Sequence, residues 1–127
     1  MPVIYIIRGI PGVGKSTLAK TIMRGIIGHS VHCEADKYFV GREFDPNMLG
    51  AAHAKCLRDA KEAIAMGFNV IVSNTFVKQW EINPYRELAH GYKIPCIEIT
   101  VKGKNGFKSI HNVPEHTIAR MECNFED

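Results

Sequence analysis

The sequence has 127 residues, 46% of them hydrophobic and 23% charged, and these proportions exclude a disordered chain, a collagen-like chain and a coiled coil. No apolar run approaches the length of a membrane span, and the amino terminus lacks the pattern of a signal peptide. The net charge of +3 is compatible with a phosphate-bearing partner, and the four cysteines are widely spaced. We therefore expect one cytoplasmic domain over residues 1–127, with reduced thiols and no contact with a membrane.

Strands and helices alternate along the chain, which predicts an α/β domain with a mainly parallel sheet. Residues Val3 to Arg8 are apolar on both faces, as in a buried central strand, and a glycine-rich turn leads from them into a helix. That helix runs from about Ser16 to Ile26. The later elements are, in order, strand Ser30–Glu34, a helix from Asp45-Pro46 to Gly67, strand Asn69–Ser73, a helix from Asn83-Pro84 to near Gly91, strand Ile94–Val101, a basic loop Lys102–Asn112 and a helix opened by Val113-Pro114-Glu115.

The turn after the first strand fits the phosphate-binding motif G-x-x-x-x-G-K-[ST] without a gap. Glycines allow successive backbone N–H groups to converge on phosphate oxygens, and the helix that follows adds a partial positive charge at the same point. The alternative, a chance match in a glycine-rich turn, does not explain the buried strand before it and the helix after it. The residues predicted to bind the nucleotide are Gly9, Pro11, Gly12, Val13, Gly14, Lys15, Ser16 and Thr17.

The chemistry expected at this loop is phosphoryl transfer that depends on ATP and Mg²⁺. Lys15 is a point charge suited to the β- and γ-phosphates, and the Ser16 hydroxyl is suited to Mg²⁺. The sequence lacks the N-K-x-D motif with which GTPases recognise guanine and is too short for a large ATPase. A small kinase is therefore the favoured interpretation.

A kinase needs a carboxylate that accepts a proton from the attacking hydroxyl. Asp36 is the best candidate because it follows the second strand, at the carboxyl edge where open α/β sheets bind ligands. We also predict Asp36 to ligate Mg²⁺ together with Ser16; the alternative is a helix cap or a solvated loop acid. Glu34 is a weaker rival because a strand residue can point away from the site.

The basic loop offers cations that could close over the phosphates, namely Lys102, Lys104 and Lys108. Taken alone, the alternative of a solvated loop is the more common outcome for such a charge run. Trp80 follows the third strand and is the first residue to test if an oligonucleotide binds, although a packing role is more usual for such an aromatic.

Four segments occur in the order found in a known family: residues 9–17, Glu34–Phe39, Val70–Thr75 and His111–Pro114. They resemble the 5′-kinase domain of polynucleotide kinases. They are closer still to a group of small AAA-type P-loop ATP-binding proteins related to the kinase domain of Nedd-binding proteins, some of them eukaryotic partners of a ubiquitin ligase. The resemblance implies a P-loop kinase fold with strand order 2-3-1-4 and helices on both faces.

The resemblance also implies roles for particular residues. Asp36 would activate a 5′-hydroxyl, Asn74 and Thr75 would face the acceptor, and Lys108 would lie over the phosphates as part of a lid. The final helix would flank the adenine. The sequence departs from the family where the third strand ends, since a position that is often acidic is Ser73, and in the lid, where lysines replace arginines.

We therefore predict a kinase that uses ATP and Mg²⁺ and phosphorylates the 5′-hydroxyl of a nucleic acid end or a nucleotide. The first alternative keeps the chemistry but uses a small metabolite or a nucleoside as acceptor. The second is an ATP-binding interaction module with little turnover. The oligomeric state does not follow from the sequence.

Overall fold

The computed structural model describes residues 2–39, 46–102 and 115–126, and at its centre lies a sheet of four parallel strands. The strands are β1 (Ile4–Arg8), β2 (Ser30–Cys33), β3 (Asn69–Asn74) and β4 (Cys96–Thr100). Their order is β2-β3-β1-β4, with each neighbouring pair parallel. The predicted α/β class and strand order are confirmed.

Helices cover both faces of this sheet, as predicted. The four described helices are α1 (Lys15–Gly25), α2 (Leu49–Ala65), α3 (Asn83–Tyr92) and α4 (Glu115–Asn124). Because successive strand residues point to opposite faces, Ile4 and Ile6 pack with α2 and α3, whereas Ile7 packs with α1. None of the described helices is long and apolar enough to cross a membrane.

The element bounds differ from the predicted ones mainly at the ends. A short 3₁₀ turn over Pro46–Met48 precedes α2, which begins at Leu49 rather than at the Asp45-Pro46 signal. Two further 3₁₀ turns, Ala35–Phe39 and Gln79–Ile82, follow the carboxyl ends of β2 and β3 and were not predicted. Both turns carry residues of the candidate site described below. Asp45 and residues 103–114, including Lys104 and Lys108, lie outside the described residues.

Burial in the sheet predicts that the same truncation lowers the free energy of unfolding by different amounts in a central strand and in an edge strand. Ile71 in β3 is fully buried against α1, whereas Ile97 in the edge strand β4 is 41% exposed. We expect Ile71→Ala to lower the free energy of unfolding by about 2–5 kcal/mol, because it leaves a cavity. The same change at Ile97 should cost about 1 kcal/mol or less, since water already reaches that side chain. Urea unfolding of both variants measures the difference, and equal losses would contradict the described packing.

Candidate active site

The phosphate-binding loop joins the carboxyl end of β1 to the start of α1. Gly12 and Gly14 adopt left-handed backbone conformations, with φ of 88° and 96°, which let the loop turn back on itself before α1 begins. Gly9 is constrained by its neighbours instead. A Cβ atom at this position would lie 2.7 Å from the Val101 carbonyl oxygen. The Gly9 N–H donates to the Thr75 carbonyl at 3.2 Å. The start of the loop is therefore held between the ends of β3 and β4.

Lys15 lies folded against this loop. Its Nζ donates to the Ile10 carbonyl at 2.9 Å, so the ammonium group occupies the concave side of the turn. Burial lowers the pKa of Lys15 to about 8, although the nearby charges of Asp36 and Glu34 oppose that shift. Both acidic residues considered from the sequence therefore lie near the predicted phosphate-binding lysine.

Ser16 contacts Glu34, the weaker of the two acidic candidates in the sequence. Its hydroxyl donates to the Glu34 carboxylate, with Oγ 3.0 Å from Oε1 and 3.1 Å from Oε2. Strand β2 ends at Cys33, which packs toward α2, and alternation directs Glu34 to the opposite face, where α1 begins. Glu34, ranked below Asp36 because a strand residue can point away from the site, is instead directed at the start of the phosphate loop's helix.

A buried polar pair lies behind Glu34. His32 Nε2 hydrogen-bonds the Ser73 hydroxyl and lies 3.6 Å from the Glu34 Oε2 atom. Burial, with contributions from the charges of Lys37 and Lys20, lowers the pKa of His32 to about 4. The imidazole is therefore neutral at pH 7, and its contact with Glu34 is dipolar rather than an ion pair.

Asp36 is half-buried in the 3₁₀ turn that follows Glu34. The Ala35 N–H donates to Asn74 Oδ1 at 2.8 Å, and Asn74 Nδ2 contacts the Cys56 sulfur at 3.5 Å. The amide of Asn74 thus fixes the turn that carries Asp36, and Asn74 also lines the cleft described next. Its predicted place on the acceptor side stays a prediction. The sequence gives little indication that Asn74 fixes this turn, because that role depends on contacts among β3, α2 and the turn.

A cleft opens beside Asp36, and none of its described lining residues belongs to α1. It is lined by the phosphate loop, the two 3₁₀ turns, α2 and α4, through residues that include Pro11, Asp36, His53, Thr75, Phe76 and Met121. The final helix, which the resemblance placed beside the adenine, contributes Met121 to this cleft. Its contact with the adenine stays a prediction. His53 is a polar group of the cleft that the sequence analysis did not single out.

One wall of the cleft is held by a buried arginine. Phe76 has a left-handed backbone, with φ of 48°, and its carbonyl accepts hydrogen bonds from Arg8 Nε at 3.2 Å and Nη2 at 2.6 Å. The Arg8 guanidinium also lies 4.3 Å from the centre of the Phe125 ring. Nearby, the Glu126 N–H donates to the Val77 carbonyl at 2.7 Å. The segment after α4 is therefore fastened to the loop after β3.

The structure brings most of the predicted site residues to one edge of the sheet. The phosphate loop, Asp36, Asn74 and Thr75 all lie at the carboxyl ends of β1, β2 and β3. The predicted lid residue Lys108 lies outside the described residues, so its position relative to the loop stays a prediction.

Comparison with known proteins identifies the family. A family model described as an AAA domain matches residues 4–127. The chain belongs to this AAA domain family. Human NEDD4-binding protein 2 is 33% identical to this AAA domain over 129 residues, which cover 94% of the chain and 7% of the human protein. The chain thus spans a small part of that relative, and the resemblance recognised in the sequence is confirmed.

Solved structures show that this AAA domain has the fold of P-loop kinases. A chain of the Pnkp1/Rnl/Hen1 RNA repair complex superposes with a TM-score of 0.67 at 15% identity, covering 98% of this chain and 44% of that one. A gluconokinase from Sinorhizobium meliloti superposes with a TM-score of 0.66 at 18% identity, covering 99% and 76%. These likenesses establish a kinase-like P-loop domain without selecting between nucleic acid and sugar acceptors.

The lowered pKa of Lys15 predicts that nucleotide binding takes up a proton in mildly alkaline solution. About half of the free protein carries an uncharged Lys15 near pH 8, whereas bound phosphates favour the charged form. ATP affinity should therefore fall as the pH rises from 7 to 9. Calorimetry at pH 8.5 with EDTA, in buffers of different ionisation enthalpy, should report uptake of part of a proton.

Lys15→Arg is the matched control, because a guanidinium stays charged throughout this range. That variant should take up no proton and should lose the fall in affinity. Identical proton uptake by both proteins would show that Lys15 is not the group that titrates.

Proposed function

We propose that residues 1–127 form one P-loop kinase domain that transfers the γ-phosphate of ATP to a hydroxyl group. The observation that carries this proposal is the placement of Asp36 beside both Lys15 and a cleft that opens from the phosphate loop. Phosphate binding, a nearby carboxylate and an adjoining space for an acceptor are the parts that phosphoryl transfer requires. The four free cysteines agree with a cytoplasmic location.

The nucleotide would be held by the loop from Gly9 to Thr17. Its backbone N–H groups and the Lys15 ammonium bind the phosphates, with Lys15 exchanging the Ile10 carbonyl for a phosphate oxygen. The described residues also fit Mg²⁺, because the Ser16 hydroxyl lies against the Glu34 carboxylate. Asp36, the carboxylate predicted to join Ser16 on the metal, follows two residues after Glu34. When bound, Mg²⁺ would neutralise charge that develops on the phosphate oxygens.

Asp36 would act on the acceptor from the cleft side. Its carboxylate takes the proton of the attacking hydroxyl, the hydroxyl oxygen bonds to the γ-phosphorus, and the bond from that phosphorus to the β-phosphate oxygen breaks to release ADP. The 3₁₀ turn held by Asn74 fixes the position of Asp36, so this group needs little reorganisation before it reacts.

The favoured acceptor is the 5′-hydroxyl of a nucleic acid or nucleotide. Two observations support it: the fold match with a chain of an RNA repair complex, and a side chain that suits base stacking at the rim of the cleft. Trp80 lies in the turn Gln79–Ile82, between the cleft residues Val77 and Glu81, and is 68% exposed. An exposed indole at that place offers a surface for a base of the acceptor strand.

Two other functions stay as alternatives. A small metabolite or nucleoside acceptor is supported by the equally close fold match with gluconokinase. An ATP-binding interaction module with little turnover is supported by the lysines that stand where the family carries lid arginines, since lysine does not form a bidentate contact with phosphate.

The role of Asp36 is tested with γ-labelled ATP and a 5′-hydroxyl oligonucleotide. Asp36→Asn should lower label transfer by about 100-fold or more, because the proton acceptor is lost, while ATP binding persists. Asp59→Asn is the matched control, since Asp59 pairs with Lys55 on the exposed surface of α2. Transfer that survives in Asp36→Asn would remove Asp36 from this role.

An acceptor screen separates the alternatives in the same assay. Label on a sugar acid or a nucleoside, and none on the oligonucleotide, would favour the small-acceptor kinase. Tight ATP binding with no label on any acceptor would favour the interaction module.

Trp80 is the single tryptophan of the chain, so its fluorescence reports directly on its surroundings. A single-stranded 5′-hydroxyl oligonucleotide should quench this fluorescence, and Trp80→Ala should weaken oligonucleotide binding by about 1–3 kcal/mol. Tyr92→Ala is the control, because Tyr92 is also exposed, at 51%, but ends α3 near the opposite edge of the sheet. Equal binding by wild type and Trp80→Ala would exclude stacking on Trp80.

A further inference from the structure

Two carboxylates lie near the phosphate loop, and the proposed reaction uses only one of them, Asp36, as a proton acceptor. Asp36 borders the cleft, whereas Glu34 is turned toward the start of α1. We propose that Glu34 is the positioning residue of the Mg²⁺ site: it orients Ser16 toward the metal and supplies the negative charge that favours it. The inference rests on the proposed binding of ATP with Mg²⁺.

The direction of the hydrogen bond from Ser16 supports this role. The Ser16 hydroxyl has one proton, and with Oγ within 3.1 Å of both Glu34 oxygens that proton is directed at the carboxylate. The lone pairs of the same oxygen then remain available to a cation. Such an outer carboxylate fixes the orientation of a metal ligand and increases its negative character.

The ends of the strands differ in which of them carries a carboxylate. Among the described residues, β1 ends at Arg8, β3 at Ser73-Asn74 and β4 at Thr100, so none of these three strands ends in a carboxylate. Glu34 comes one residue beyond the last β2–β3 pair, Cys33 with Val72, and thus lies beside Ser73. The carboxylate expected near a P-loop serine is therefore provided by β2 rather than by β3.

The Glu34 side chain is held rigidly by its surroundings. It is only 8% exposed, with neutral His32 behind it and Ser73 hydrogen-bonded to that imidazole. The Lys15 ammonium of the loop lies near both Glu34 and Asp36. A buried carboxylate held in this way keeps one geometry, which a metal site requires.

Glu34 and Asp36 would therefore have different roles. Glu34 lies against Ser16 and is not among the described residues that line the cleft, so it is poorly placed to take a proton from an acceptor bound there. With Glu34 on the metal side, Asp36 is free to accept the proton of the attacking hydroxyl. Two acids in different surroundings thereby take different roles.

The test compares ATP binding with Mg²⁺ and ATP binding with EDTA, by calorimetry, in the wild type, Glu34→Gln and Glu34→Asp. Glutamine has the same shape but no charge. We expect Glu34→Gln to reduce the gain in affinity that Mg²⁺ gives by about 10- to 100-fold. The affinity for ATP in EDTA should stay equal or rise, because a negative charge near the phosphates is removed.

These opposite effects distinguish the proposed role from a merely structural one. Glu34→Asp keeps the charge and should retain most of the gain from Mg²⁺. Equal loss of ATP affinity with and without metal in Glu34→Gln, or melting well below the wild type in both Glu34 variants, would overturn the inference in favour of a packing role.

Other outcomes separate this inference from the proposed function. If the wild type gains affinity from Mg²⁺ and Glu34→Gln gains as much, the inference fails and the proposed function stands. Loss of label transfer in Glu34→Gln with unchanged metal dependence would instead make Glu34 the proton acceptor. A wild type that binds no nucleotide would overturn both.

Discussion

The parallel pairing of β1 between β3 and β4 is the constraint on which the site depends. In this arrangement the carboxyl ends of the strands meet at one edge of the sheet, with Arg8 paired to Asn74 on one side and to Thr100 on the other. The phosphate loop leaves the sheet at that edge, and the turns after β2 and β3 begin beside it. A change of strand order would separate Lys15 from Asp36 without altering either residue.

Buried polar groups are concentrated under this edge. Arg8, Ser73 and Asn74 are all buried, and each is hydrogen-bonded to a neighbouring segment. Burying such groups costs free energy unless each finds a partner, so every contact fixes one connection relative to the next. Arg8 joins the loop after β3 to Phe125, and Asn74 joins the turn after β2 to α2. Rigidity at the strand ends agrees with the proposed phosphoryl transfer, which needs its groups held in place.

The fold does not determine the acceptor, because the phosphate loop and the neighbouring cleft are built from different kinds of groups. Phosphate recognition uses backbone N–H groups and a single lysine, which any domain with this loop provides. The cleft proposed for the acceptor is lined by side chains from α2, α4 and two short turns, among them His53 and Met121. Kinases of one fold differ mainly in such side chains, which explains why an RNA repair chain and a gluconokinase superpose on this domain about equally well.

The amino-acid sequence alone determined the succession of strand, phosphate loop and helix, because these residues are contiguous and their types follow from local physics: glycines for the turn, a lysine for phosphate and an apolar run for the buried strand. The order of the strands came from resemblance rather than from the pattern. Tertiary structure decided where Glu34 points, because that depends on where β2 stops pairing with β3. It also decided that Met121 borders the cleft, because the end of the chain is held there by the contact between Arg8 and Phe125, which are far apart in sequence. Contacts between distant segments set both, and no local pattern encodes them.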